Sequence, residues 1–256
     1  MNVTMMISRY PPIRAGMELS CQRLSQFLTE RGHRVTVVTE KIDSQQATDQ
    51  TEAGVRVLRL RCFGHPPVSS AIYFLKALWR LLRRNPDSNV LHAHMIAAPA
   101  MLALLVGRLR GIPVLVKIAG AGISGDLVTS QRSKRGRLKL WLFRRLATDI
   151  VAVSPAIADE AQTLMRGRGT IHRIPNGVDM DFFTHATDAE KRHTRQTLNL
   201  PQQALIALYV GRWSGTKGLT ELLHAFERGI ADSSFTWHLM LVIGGDFQPS
   251  PASNAR

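Results

Sequence analysis

The amino-acid sequence predicts an α/β protein with one complete parallel sheet and the beginning of a second unit of the same kind. Short apolar runs rich in β-branched residues alternate with longer segments whose apolar residues recur at helical spacing. Glycine and proline separate these runs. The chain has 256 residues, of which 45% are hydrophobic and 20% charged, so it is long and apolar enough to fold around its own core.

A βαβ unit opens the chain. The sequence predicts a strand at 2–8, a helix from Met17 to about Gly32 and a second strand at 33–39. In an open parallel sheet the loop after the first strand lies at the carboxyl edge, where ligands bind. Gly16 in this loop is either an ordinary turn glycine or a place where the backbone approaches a ligand closely.

Further strands and helices complete the first unit. The apolar window 96–106 is too short to cross a bilayer, so we interpret it as a buried helix. A basic amphipathic helix at 70–84 suits either a membrane surface or a core-packed helix with a solvated face. The remaining strands are predicted at 55–60, 90–95, 113–118, 150–154 and 171–174.

Polar and glycine-rich positions follow several of these strands. His92 and His94 point the same way on one strand, but a pair with no third ligand nearby is not a zinc site, so we predict no metal. The loop from Ala119 to Asp126, which contains Gly120, allows close approach of a phosphate or a sugar. Ser154 before Pro155 predicts a helix N-cap.

The second unit begins with a strand at 205–210, followed by Gly211, Arg212 and Lys217, and then by a helix. A strand, a turn and a helix start make an anion site to which two cations would add charge. The alternative is a structural turn with two solvated cations. After one more strand at 237–243 the fragment has too few elements for a core, so we expect a truncated, split or frameshifted chain.

These patterns divide the chain into a first Rossmann-like domain at 1–178, a linker at 179–203 and an incomplete second Rossmann-like domain at 204–256. The two cysteines lie outside any metal-ligand pattern, which predicts reduced thiols. Because the first residues lack a long apolar run, we expect a cytoplasmic protein that touches membranes only at their surface.

A net charge of +14 predicts an anionic partner. Residues 131–145 interleave basic and apolar side chains and predict a helix that docks on anionic lipid headgroups, at on the order of 1 kcal/mol per basic residue. The alternatives are a plain solvated face and, less favoured, a nucleic-acid surface. The membrane candidates are Arg135, Arg137, Lys139, Trp141 and Arg144.

Four stretches, at 11–39, 90–95, 150–183 and 205–226, together resemble the GT-B glycosyltransferases of the retaining family 4 type. The resemblance implies transfer of a sugar from a nucleotide diphosphate sugar to a glycan or lipid-linked acceptor hydroxyl, with no metal and no cofactor. It implies that Gly16, Arg212 and Lys217 bind the donor diphosphate. The residues that it places along the inter-domain crevice are His92, His94, Gly120, Ser154, Asn176 and Gly177.

The sequence also departs from that family. Ala119 stands where many members carry a histidine, Ala15 precedes Gly16 where a pair of glycines is usual, and the paired-glutamate motif downstream of Lys217 is absent. These departures support an alternative, a truncated non-catalytic pseudoenzyme or a domain that binds membranes or partners. A nicotinamide-binding domain fits poorly, because no GxGxxG motif follows the first strand.

Overall fold

The computed structural model describes residues 1–13, 15–65, 68–83, 87–122, 125–212, 215, 217–231 and 235–244, with only the backbone described for Arg212, Ile230 and Ala231. The chain divides into two compact units, Met1–Gly177 and Val178–Arg256. Each unit is described by itself below.

A mostly parallel sheet forms the centre of the first unit, and its strands run in the order β3-β4-β2-β1-β5-β6-β7-β8 in the described part of the chain. The predicted α/β architecture is confirmed. Among the described strands of this sheet, only β3 pairs antiparallel, with β4 at the edge. The strands are β1 (Asn2–Met6), β2 (Arg34–Lys41), β3 (Asp49–Glu52), β4 (Val55–Arg61), β5 (Val90–His94), β6 (Val114–Ile118), β7 (Asp149–Ala152) and β8 (Thr170–Arg173).

Helices cover both faces of this sheet. One face packs on the first helix through a cluster that includes Met5, Cys21 and Val37. The opposite face packs on several helices through a larger cluster that includes Tyr73 and Phe143. The helices are α1 (Gly16–Glu30), α2 (Val68–Arg83), α3 (Ala98–Arg110), α4 (Asp126–Gln131), α5 (Lys134–Leu146) and α6 (Pro155–Met165).

The single helix predicted over 131–145 is wrong, because the chain breaks between α4 and α5. Ser133 adopts an extended conformation, and its hydroxyl accepts a hydrogen bond from the Gly136 amide at 3.0 Å, which caps α5. A side chain at Gly136 would overlap the Ser130 backbone, so the glycine lets the two helices meet closely. The break turns α5 into a separate helix with its own exposed face.

The second unit contains a helix and a βαβ arrangement. The helix α7 (Asp188–Thr197) starts with a capping box between Thr187 and Glu190. The strands β9 (Leu205–Arg212) and β10 (Trp237–Gly244) pair in parallel, and α8 (Leu219–Ala231) connects them. The second unit leaves Leu208, Val210 and Val242 exposed on these strands.

Candidate functional site

The start of α1 is open toward the carboxyl edge of the sheet. Ala15 precedes the helix in an extended conformation, and among the described residues no side-chain hydrogen bond caps the helix. The first amides of α1 are the free donors of a helix N-terminus. Gly16 is exposed, and a side chain added there would meet nothing within 4 Å. The backbone at Gly16 is therefore accessible to a ligand, as the prediction for this residue requires.

His92 and His94 form a buried stack on β5. Their ring centroids lie 4.6 Å apart, and the residues are 7% and 1% exposed. Within the described residues, Nε2 of His92 and both ring nitrogens of His94 make no hydrogen bond. Burial, with a smaller contribution from Lys117, lowers the pKa of His92 to about 4. Burial likewise lowers the pKa of His94, so both rings are neutral at pH 7.

Lys117 lies beside this histidine pair, and the sequence analysis did not select it as a site residue. It pairs with His94 across β5 and β6 and is 7% exposed. Its ammonium donates to Oγ of Ser20 at 2.8 Å, and that hydroxyl donates to Oδ1 of Asn176 at 3.1 Å. Burial lowers the pKa of Lys117, while Cys21 acts in the opposite direction. A lysine within the apolar strand VLVKI was the available sequence signal.

The described ends of the glycine-rich loop after β6 lie close together. The Gly125 amide donates to the Gly122 carbonyl at 2.8 Å, and a side chain on Gly125 would come within 2.7 Å of the Gly120 carbonyl oxygen. The Gly122 amide donates to Oε1 of Glu160 on α6 at 2.7 Å. These contacts hold Gly120 at the carboxyl edge of the sheet, while Ile123 and Ser124 lie outside the described residues.

The remaining crevice candidates of the first unit have different environments. The Ser154 hydroxyl accepts from the Ile157 amide at 3.3 Å and caps α6, which gives this residue a structural role. Asn176 is exposed and joins Ser20 in the chain of hydrogen bonds that reaches Lys117. A side chain at Gly177 would meet nothing within 4 Å. The structure thus groups Asn176 with Ser20 and Lys117.

In the second unit a strand ends before Lys217 and a helix begins after it, as predicted. Residues 213, 214 and 216 between them lie outside the described residues. The strand β9 ends at Arg212, whose side chain lies outside the described residues. Lys217 is exposed, and Gly218 has a positive φ of 66°. The Gly218 carbonyl accepts from the Leu222 amide at 2.9 Å and leads into α8. The roles of Arg212 and Lys217 in binding phosphate stay predictions.

The exposed face of α5 carries Arg135, Arg137 and Trp141, and the Arg145 guanidinium lies 5.3 Å from the centroid of the Trp141 ring. Lys139 is half-buried on α5, and its role at a membrane surface stays a prediction. Its ammonium donates to the Ile96 carbonyl at 2.7 Å, and burial lowers its pKa while Asp126 opposes that shift.

Arg144 is half-buried and lines a cavity together with Asp159 and Glu160 of α6. It is therefore less open to a membrane than Arg135 or Arg137. The α2 helix, by contrast, leaves Leu75 and Trp79 exposed. Among the described residues, every helix is too short or too polar to span a bilayer.

A family profile described as Glycosyltransferase Family 4 matches residues 14–182. The chain belongs to this family. This glycosyltransferase-family chain is 28% identical over 193 residues to a Bacillus subtilis protein named as the glycosyltransferase EpsF, covering 70% of this chain and 45% of the relative. It is 25% identical over 236 residues to the glycosyltransferase MJ1607 of Methanocaldococcus jannaschii, and the match covers 89% of this chain and 60% of the relative. It therefore spans about half the length of the curated relatives it matches.

Solved structures share the fold of this family 4 chain. Sucrose-phosphate synthase from Thermosynechococcus elongatus matches with a TM-score of 0.70 and 22% identity, over 97% of this chain and 64% of that one. Anabaena HepE in complex with UDP-glucose matches with a TM-score of 0.66 and 16% identity, over 94% of this chain and 60% of HepE. The neighbours are GT-B glycosyltransferases, so the predicted GT-B fold is confirmed. The profile match confirms the predicted resemblance to family 4.

Proposed function

We propose that this chain carries part of an enzyme that moves a sugar from a nucleotide diphosphate sugar to an acceptor hydroxyl. The observation that carries the proposal is the uncapped start of α1 at Gly16, which opens at the carboxyl edge of a parallel sheet. Family membership supports it, and HepE, which has the same fold, binds UDP-glucose. We therefore propose a uridine diphosphate sugar as the donor.

The chemistry follows from where charge develops. As the glycosidic bond breaks, negative charge grows on the leaving diphosphate, so fixed positive groups there stabilise the transition state more than the ground state. The free amides at the start of α1 are one such group. Arg212 and Lys217 supply two full charges in the proposal, which makes a divalent metal unnecessary. The sugar passes through an oxocarbenium-like state and keeps its anomeric configuration.

Donor binding is the direct test of this proposal. Gly16→Ala leaves the protein itself room for the new methyl group, but that group stands where the diphosphate approaches. We expect UDP to bind the chain, and we expect Gly16→Ala to lower the affinity for UDP about tenfold. Titration calorimetry measures both affinities. Gly229→Ala is the matched control, since Gly229 is exposed in α8 and a side chain there also meets nothing within 4 Å. Equal UDP affinity in both variants would contradict the role of Gly16.

Turnover tests the remaining parts of the proposal. Transfer from UDP-glucose should continue in excess chelator, and the anomeric proton coupling of the product should match that of the donor. Binding of UDP without transfer would favour the alternative, a non-catalytic binding domain. Ala119, which stands where many members of the family carry a histidine, is the sequence observation that favours this alternative.

A membrane surface is the proposed location of the acceptor. α5 presents Arg135 and Arg137 to solvent beside Trp141, which is 47% exposed, and α2 exposes Leu75 and Trp79. Exposed cations attract anionic headgroups, and aromatic and aliphatic side chains enter the interface. We propose peripheral binding at an anionic membrane face, where a lipid-linked glycan acceptor is held.

Vesicle flotation tests the proposed membrane surface. The chain should bind vesicles that contain phosphatidylglycerol but not vesicles of phosphatidylcholine alone, and Arg135→Glu with Arg137→Glu should abolish that binding. Arg168→Glu with Arg192→Glu makes the same change in charge at other exposed positions and is the control. An equal loss in both pairs would indicate general electrostatic attraction. Steeply salt-dependent RNA binding, lost only in the first pair, would favour a nucleic-acid surface.

A further inference from the structure

Lys117 is a buried cation that forms no ion pair among the described residues. It is 7% exposed, and no carboxylate in the described part of the chain lies within ion-pair distance of its ammonium. Its described side-chain hydrogen bond goes to the neutral hydroxyl of Ser20 at 2.8 Å. An ammonium group has three donors, so the described contacts use one of them. Burying a charge in this way costs free energy unless a partner of opposite charge arrives.

In the described part of the chain, the titratable groups that face Lys117 carry no negative charge at pH 7. His92 and His94 are neutral at pH 7, because burial lowers the pKa of both. Burial raises the pKa of the Cys21 thiol to about 12, which keeps it neutral as well. Nε2 of His92 is buried without a hydrogen bond in the described structure. The described titratable groups beside the ammonium are thus neutral, and one of them, His92, offers a ring nitrogen without a described hydrogen bond.

A polar path connects this cation with solvent. Ser20 is half-buried on the second turn of α1, and Asn176 is exposed after β8. The Ser20 hydroxyl donates to Oδ1 of Asn176, so among the described contacts the amide N–H groups of Asn176 stay available as donors. The free amides at the start of α1 lie one turn before Ser20 and add positive potential. Asn176 and Lys117 thus offer donors to an anion, while Glu18 in the first turn of α1 adds a negative charge at the start of that helix.

The geometry points to an oxyanion subsite formed by Lys117, Ser20 and Asn176, which receives a phosphoryl or carboxylate group of a substrate. The inference rests on the proposed function insofar as the anion belongs to a transferase substrate. It extends that function, because it adds a binding group in the first unit that is independent of Arg212 and Lys217. The group can come from the diphosphate of the donor or from an anionic acceptor, and both sources present the same oxyanion.

Inorganic phosphate is the probe, used with the full chain. Calorimetry should show phosphate binding that Lys117→Met weakens at least about tenfold, as expected for loss of a charge-assisted hydrogen bond. Lys139→Met is the matched control: Lys139 is also partly buried with a lowered pKa, but its ammonium already donates to the Ile96 carbonyl. The phosphate affinity of Lys139→Met should stay within about twofold of that of the unmodified chain. Equal phosphate affinity in Lys117→Met and the unmodified chain overturns the subsite.

A second measurement needs no variant that might fold differently. In the protein with ¹³C-labelled lysine, saturating phosphate should raise the pKa of Lys117, because an anion stabilises the charged ammonium. A pKa of Lys117 that does not move up to the solubility limit of phosphate overturns the proposal.

UDP titrations identify the source of the anion. If Lys117→Met weakens UDP and phosphate alike, the subsite serves the donor diphosphate. If it weakens phosphate but leaves UDP affinity unchanged, the subsite serves an anionic acceptor. If UDP fails to bind at all while phosphate still raises the pKa of Lys117, the subsite holds and the proposed function fails.

Discussion

The two faces of β5 and β6 are equally shielded from water but differ in chemistry. Toward α2 and α3 lie apolar side chains such as Leu91 and Val116, which are 1% and 0% exposed. Toward α1 lie His94 and Lys117, which are 1% and 7% exposed. Apolar burial stabilises the fold, whereas buried polar groups without full hydrogen bonding lower its stability. The comparison teaches that the α1 face, near the carboxyl edge, carries features that stability alone does not require.

The largest effect is expected from neighbouring residues of β5 that point to opposite faces. Leu91→Ala should lower the free energy of unfolding by about 2–5 kcal/mol, because it removes packed methyl groups and leaves a cavity. His92→Ala should cost less than half as much, because the lost imidazole was buried with Nε2 unbonded in the described structure. Urea unfolding at pH 7 measures both values. Equal losses would break the comparison between the faces.

The sequence predicted the elements whose signals are local. The cap at Ser154 followed by Pro155 and the glycine after α1 were visible in short windows, and each stands where expected. The strand β3, with the sequence DQTE, was missed because it is short and polar. Long-range pairs hold it, including Arg59 with Glu52 at 2.7 Å and Arg56 with Asp49 at 2.7 Å. Such pairs depend on the fold and leave no periodic pattern.

The candidate site was predictable only in part for the same reason. Gly16, His92 and His94 stand out in sequence as a loop glycine and a spaced pair. The network from Lys117 through Ser20 to Asn176 joins residues 97 and 156 positions apart, so only the folded sheet brings them together. Likewise, the helical pattern of α5 placed Lys139 on a basic face, but it could not show that the ammonium reaches Ile96.

A medium effect is expected from acid. The pKa of His92 is about 4 in the folded chain and near 6.5 when unfolded, so the unfolded state binds the proton first as pH falls. The contribution of His92 to the free energy of unfolding is therefore fully present above about pH 6.5, and it is lost as pH falls toward 4. Between pH 7.5 and 5 this one group should remove roughly 2 kcal/mol from the free energy of unfolding.

Urea unfolding at the two pH values measures this loss, and His92→Leu is the control. Lys117, His94 and Cys21 face the same space, and they remain in both proteins. The pH-dependent loss should be smaller in His92→Leu by the contribution of one proton. An unchanged pH dependence would mean that the pKa of His92 is the same in the folded and the unfolded chain. The contrast between the faces would then weaken.

The smallest effect distinguishes two partly buried lysines. Lys117→Met removes a cation without a described counter-charge and leaves the Ser20 hydroxyl bonded to Asn176, so the free energy of unfolding should rise by about 1 kcal/mol. Lys139→Met removes a donor to the Ile96 carbonyl near Asp126, so the free energy of unfolding should fall by about 1 kcal/mol. Urea unfolding at pH 7 measures both changes in the free energy of unfolding, and opposite signs would sharpen the comparison. A substitution that makes the protein more stable is expected where the original residue serves binding at a cost in stability. A loss of stability in both variants would make Lys117 a structural residue of the α1 face.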